Sequence, residues 1–302
     1  MIDIVRIEHV AVAALDLESP IALLERLFGF RLVQKFASNE GYIGATLDIP
    51  GGRGLQWEVI APSGAGSYLY RFLGGPHGAG LHHLALRVPD AAAAAAALRA
   101  DGITPWGLDE DAQPAPDGTF YIHPREGGHG FLFEVDGEEP AAPVPDFDPS
   151  EDMDERTLGI IAVNHLSHAY PDAEDLGDWY ERVFGLHTMY RSPGDGLETG
   201  FATRVLESWR FPLRFEAIQP STPASYIQRF LDRCGPGMHH VAFEVGDWPR
   251  ALNACSLNGI PIFGERYGET DGVLWREAFI HPRHTGGVLV QFFWQAAPGV
   301  WV

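Results

Sequence analysis

The sequence predicts an α+β protein of four repeated modules, each a strand, a helix closed by glycine, and further strands. Two observations predict it. The first is a period: His9, Glu58, His83 and Glu134 are followed by His165, Glu216, His240 and Gln291, 156, 158, 157 and 157 residues later. The second is that each half is itself doubled, with steps of 74 and 76 residues in the first half and 75 and 75 in the second. A repeat of half a domain, carrying residue types that ligate metals, indicates duplicated modules that build metal pockets between them.

The elements follow in order. In the first module IVRIEHVAVAAL alternates as a strand, Ser19 and Pro20 supply a cap and a first-turn proline for IALLERLF, and Gly29 stops the helix. The second module has LHHLALRV, Asp90 as cap, and an alanine-rich helix that ends before Gly102. Alanine is the strongest helix former, so this run needs no functional reading. AVNHLSHAY and DLGDWYERVF before Gly185 make the third module; MHHVAFEV and a helix through Ala251 and Leu257 that ends before Gly259 make the fourth. YIGATLDI, LQWEVIA, FLFEV, LRFEAI and VLVQFFW are short, β-branched or aromatic, and read as strands.

The 302 residues fit two domains, 1–136 and 158–302, joined by an acidic, proline-rich linker at 137–157. A formal charge of -20 opposes nucleic acid and anionic membranes as partners. Cys234 and Cys255 are the only cysteines and suggest no disulfide framework, which fits a reducing compartment. No signal-like run opens the chain and no apolar stretch is long enough to span a membrane, so a soluble, cytoplasmic protein is expected.

Side chains alternate across a strand, so Ile7, His9 and Ala11 share one face, as do Gln56, Glu58 and Ile60. A lone histidine on a strand is usually a packed residue. A lone glutamate in an apolar run is harder to dismiss, because burial without a partner costs several kcal/mol. Glu58, Glu134 and Glu216 lie in register with four histidines, and neutral nitrogen with anionic oxygen suits a divalent ion such as Mn, Co, Ni, Zn or Fe.

GLHHLALRVPD at 80–90 and GMHHVAFEVGD at 237–247 resemble a paired-histidine strand whose second histidine binds metal. YIHPREGGHGFLFEV at 121–135 and FIHPRHTGGVLVQF at 279–292 resemble the closing segment of the same proteins. On these segments the chain resembles the vicinal oxygen chelate superfamily, most of all its methylmalonyl-CoA epimerase and glyoxalase-like members. The resemblance implies tandem domains, each of two paired βαβββ modules forming a cupped, incomplete barrel. A metal with open coordination positions would take two neighbouring oxygens of a small oxygen-rich or acyl substrate; a homodimer is allowed. The second ligand position, often glutamine in the epimerases, is Glu58 or Glu216 here, and the amide has moved to Gln291. The two pockets should therefore differ in metal affinity.

The resemblance also places the proton-transferring glutamate on Glu198, and Asn39 on the matching position of the first half, with Glu40 beside it. A one-residue slip reverses a strand's face, so Glu40 is no safe substitute. An epimerase or isomerase would stabilise an enolate after proton abstraction by Glu198, with His281 and His123 either contacting substrate oxygens or serving their turns. Arg191, Arg204, Arg210 and Arg214 offer partners for an anionic substrate, or merely balance an acidic chain. Trp106, Trp179, Trp209 and Trp275 could line a cavity, although tryptophans mostly pack cores. Two other readings stand beside this one: a non-haem iron, extradiol-type dioxygenase, and a resistance-type protein that binds a small molecule without turnover.

Overall fold

The structure, a computed structural model, describes residues 1–108, 113–115, 117–137, 154–192, 196–197 and 199–297. Most of the expected linker at 137–157 therefore lies outside the described residues, as does Glu198.

In the first half, β1 (Arg6–Ala13) leads through α1 (Glu18–Leu23) and a π-turn (Leu24–Phe28) to β2 (Arg31–Ala37), β3 (Tyr42–Asp48) and β4 (Gln56–Pro62). A short helix, α2 (Leu69–Leu73), precedes β5 (Gly80–Val88), α3 (Ala91–Ala100), β6 (Thr119–Ile122) and β7 (Leu132–Gly137). The second half repeats the plan. It runs β8 (Ile160–Ala169), α4 (Ala173–Phe184), β9 (His187–Arg191), β10 (Phe201–Glu207), β11 (Arg214–Pro220) and α5 (Tyr226–Cys234). Then come β12 (Gly237–Val245), α6 (Trp248–Leu257), β13 (Ile262–Thr270), β14 (Val273–Ile280) and β15 (Val290–Gln295).

Each half makes one curled, incomplete barrel sheet, in the orders β2-β3-β4-β1-β5-β7-β6 and β13-β14-β15-β12-β8-β11-β10-β9. These are the expected paired βαβββ modules. In three modules the register shows the first strand parallel to the last, as in β5 with β7, β11 with β8, and β12 with β15. A strand–helix crossover imposes that arrangement. The second module departs in one place: Trp106 makes an isolated bridge to Tyr121 where the fourth module has β13.

Local chemistry explains the helix boundaries. Asp90, Asp172 and Asp247 each accept a backbone N–H from the first turn of α3, α4 and α6. Gly29 and Gly185 sit at φ 71° and 67°, the left-handed position that ends a helix. The expected Ser19 cap is corrected: Ser19 lies inside α1, and its N–H donates to Asp16 Oδ1 at 2.8 Å. Asp16 outcompetes serine because a carboxylate accepts more strongly.

Packing groups the chain into two compact units. One comprises Met1–His9, His82–Pro143 and His165–His239; the other comprises Val10–Leu81, Val144–Asn164 and His240–Val302. The first is centred on aromatic rings: Phe133 lies 5.0 Å from Phe184 and 5.7 Å from Trp179, and Tyr180 lies 4.9 Å from Phe215. In the second, Phe28 meets Phe243 at 5.8 Å and Phe30 meets Trp57 at 5.8 Å. The edge-to-face pairs among these, Phe133 with Phe184, Phe28 with Phe243 and Phe30 with Trp57, add about 0.5–1.5 kcal/mol each beyond area burial. Trp179 is thus core, while Trp209 is 85% exposed and Trp106 is 50% exposed, so the four tryptophans do not line one cavity.

Arg204 is not a substrate arginine. Its side chain is buried, and it donates to Glu174 Oε2 at 2.9 Å, Asp178 Oδ1 at 2.7 Å and Thr188 Oγ1 at 2.8 Å, with Glu181 Oε1 at 2.9 Å. The guanidinium lies across α4 at Gly177, where an added Cβ would stand 2.5 Å from Arg204 Cδ. Gly→Ala in a helix ordinarily gains about 1 kcal/mol. Here the overlap, of order 1–3 kcal/mol, wins. Gly177→Ala is expected to lower urea stability in the wild type and to raise it in an Arg204→Ala background; the same sign in both would sink this account.

His168 is one of several buried histidines that make stability pH-dependent. It is fully buried, and its Nε2 faces the His129 carbonyl at 2.9 Å while Nδ1 faces Tyr180 Oη at 2.8 Å. A carbonyl only accepts, so Nε2 carries the proton and the tyrosine hydroxyl donates to Nδ1. Burial pushes the imidazole from 6.5 down to about 3. Below pH 6.5 the unfolded chain takes up a proton that the folded chain refuses, so stability falls as pH drops from 6.5 toward 3. At about 1.4 kcal/mol per unit, the contribution lost between pH 6.5 and pH 5 is roughly 2 kcal/mol. A His168→Gln variant should show a shallower slope of unfolding free energy over that interval.

Candidate metal centre

The sheet orders place the proposed ligands on four successive neighbours in each half: β4-β1-β5-β7 and β11-β8-β12-β15. Histidines ride the first strand of every module and acids or amide the last. Parallel register repeats the relation closely, with Ala85 opposite Glu134 and Ala242 opposite Gln291, each two residues past a ligand histidine. Side chains two apart share a face, so each pair converges.

In the first half the donor atoms of His9, Glu58 and His83 all lie within 4.8 Å of one another. His9 Nε2 is 3.1 Å from His83 Nε2, and Glu134 Oε2 stands 3.4 Å from His83 Nε2. Burial lowers the pKa of His83 strongly and that of His9 as well, with Glu8 opposing the shift at His9. Both rings are therefore neutral at pH 7 and present a lone pair. His82, lowered to about 4 by burial, places its Nδ1 2.8 Å from His83 Nδ1 and so fixes the ring that carries the ligand nitrogen.

In the second half the donor atoms of His165, Glu216 and His240 likewise lie within 4.8 Å of one another, and all three residues are buried. Glu216 accepts from Thr203 Oγ1 at 3.1 Å through Oε1, leaving Oε2 3.8 Å from His165 Nε2. His240 Nε2 lies 3.2 Å from Gln291 Oε1. The donor chemistry fits a divalent cation in both places: two imidazoles and a carboxylate, aimed inward by hydrogen bonds from behind.

His281 and His123 share a local duty. Each Nδ1 accepts the backbone N–H two residues on, from Arg283 and Arg125, at 3.2 Å. The remaining arginines are engaged with acids: Arg191 with Glu174 at 2.9 Å, Arg210 with Asp3, and Arg214 with Glu207 at 3.5 Å. Sequence reasoning missed Glu277, 1% exposed, which accepts from Gln291 Nε2 at 2.5 Å. Its signal was parity: Trp275, Glu277 and Phe279 share one face of β14.

The model of the Glyoxalase/Bleomycin resistance protein/Dioxygenase superfamily matches residues 8–122 and again 164–279. The chain belongs to this superfamily. As a tandem member it is similar over part of its length to two curated proteins. Uncharacterized protein YqjC of Bacillus subtilis is 29% identical over 129 residues, 43% of this chain and 89% of that protein. The mitochondrial methylmalonyl-CoA epimerase of Dictyostelium discoideum is 28% identical over 139 residues, 44% of this chain and 78% of that protein. Among solved structures, a triple mutant of 4-hydroxymandelate synthase from Streptomyces coelicolor superposes with a TM-score of 0.70 at 13% identity. The match covers 99% of this chain and 95% of that one. At that identity the likeness establishes the fold. Among the described residues, no helix is long and apolar enough to cross a membrane.

Proposed function

We propose that this superfamily member is a divalent-metal-dependent enzyme that binds two neighbouring oxygens of a small organic substrate, and that its second pocket works as a non-haem iron, dioxygenase-type oxygenase. One observation carries the reading: the buried set of two histidines and one carboxylate, His165, Glu216 and His240. Two imidazoles with one carboxylate and open positions are the donor set of non-haem Fe(II) oxygenases. When bound, the metal supplies Lewis acidity and a template for substrate oxygens. The chain's own residues hold that place ready: Thr203 fixes the Glu216 carboxylate, and burial of all three ligands excludes bulk water. A single carboxylate leaves a divalent ion with residual positive charge, which favours an anionic chelating substrate.

A second reading, an epimerase or isomerase, is favoured by one specific feature. Gln291 turns its amide oxygen toward His240, giving the second pocket four donors instead of three. The partial similarity to the Dictyostelium epimerase points the same way. In this reading Glu198 is the base and His281 contacts substrate, and Glu134 and Gln291 complete the two ligand sets.

The readings separate by experiment. Protein loaded with Fe(II) is offered catechols and 2-oxo acids in an oxygen electrode, and acyl thioesters in deuterium oxide. Oxygen uptake that depends on His240 is expected. Deuterium incorporation without oxygen uptake would falsify the oxygenase assignment and leave the epimerase.

A further inference from the structure

Gln291 is unusual in that its amide has a defined direction. Gln291 on β15 lies opposite Phe279 on β14, and Glu277, two residues earlier on β14, is its diagonal neighbour on the same face. Glu277 is buried, accepts from Arg266 Nε at 2.5 Å through Oε1 and from Gln291 Nε2 at 2.5 Å through Oε2. A carboxylate that accepts from a guanidinium offers lone pairs to its other neighbour. The NH₂ end of the amide must then face Glu277, which turns the oxygen toward His240 Nε2, 3.2 Å away. Arg266, half exposed, closes the chain at the surface.

The first half shows the complementary choice. There the matching closing residue is Glu134, opposite Tyr121, and the position corresponding to Glu277 is Thr119, which donates its hydroxyl to Asp136. An acid stands behind the amide, whereas the matching position behind Glu134 is a threonine. Two carboxylates in the Glu277–Gln291 relation would repel, so the amide at 291 and the acid at 277 require each other.

We infer that Glu277, held by Arg266, is a positioning residue that fixes the Gln291 amide oxygen as a fourth, neutral donor to the cation site of His165, Glu216 and His240. The inference rests on the metal reading of the second pocket and takes the four-donor set of the second reading, so it does not depend on the oxygenase assignment. It also accounts for how the two pockets differ: the first has two carboxylates beside its histidines, whereas the second keeps its extra acid one residue back and paired with an arginine.

The test uses full-length, chelator-stripped protein titrated with Co(II) by calorimetry, the second pocket being assigned as the event lost in His240→Ala. Glu277→Gln keeps the shape but lets the amide at 291 rotate. A loss of Co(II) affinity of tenfold or more at the second pocket is expected, the range found when partners behind metal ligands are removed. The first pocket is expected to be unchanged. The exchanged variant, Glu277→Gln with Gln291→Glu, restores an oxygen donor held by an N–H and should bind within a few-fold of wild type. A purely structural role would lower the melting temperature without moving the cobalt affinity. Affinity within twofold of wild type in Glu277→Gln, or no recovery in the folded exchanged variant, overturns the positioning role alone. A wild-type titration indifferent to His240→Ala overturns the metal reading and this inference together.

Discussion

His240→Ala is expected to remove the cation from the second pocket and to lower turnover about 1,000-fold or more, while His9→Ala leaves turnover within a small factor of wild type. The asymmetry follows from the ligand sets. His165, Glu216 and His240 are all buried, so the second pocket's electrostatics act at low dielectric, where a metal contributes several kcal/mol of charge stabilisation. About 1.4 kcal/mol corresponds to tenfold in rate, so losing that term costs three or more orders of magnitude. The first pocket carries more negative charge and a His9 whose side chain is 13% exposed, with Asn39 where the resemblance places a catalytic acid. Metal content by atomic absorption, measured beside turnover in both variants, checks the expectation. Equal losses in the two variants would assign chemistry to both pockets.

Arg204→Met is expected to be the most damaging change remote from the pockets. Methionine fills much of the aliphatic stem but leaves Glu174, Asp178 and Glu181 clustered on one face of α4 without their shared cation. Because those acids are largely exposed, solvent limits the repulsion. The lost bonds from Arg204 to Thr188 and to the Glu174 carbonyl add to it. A loss of roughly 3 kcal/mol is expected, on the order of 6 °C or more in melting temperature. Differential scanning calorimetry would show it, and a shift under 1 °C would mean that the network is ornamental.

The ligand strands were legible in the sequence because metal chemistry and strand chemistry conflict there. A charged or imidazole side chain in an apolar, β-branched run demands a partner, and the same demand arises four times on one period. Gly29 and Gly185 were legible for a similar reason, since only glycine adopts the left-handed helix stop without strain. Arg204 was not legible. Its acidic partners lie on a helix 23 to 30 residues upstream, and nothing local distinguishes a buried arginine from a solvated one. The short helices α2 and α5 were also missed: each is flanked by glycine, proline or serine, so turn chemistry at the ends concealed the helical period between. Ser19 misled because propensity for a cap says nothing of a stronger acceptor three residues earlier.

In each half the strand order divides the proposed ligands evenly, one histidine and one oxygen donor on strands of each of two modules, and three of the four lie together. Neither module owns a binding site; each owns half of one. A copying error that duplicated a single module would have inherited no chemistry until two copies shared a sheet. Afterwards a change in either copy would alter a property held jointly, and that joint tenure lets one half drift to Gln291 with Glu277 while its sister keeps Glu134 with Thr119.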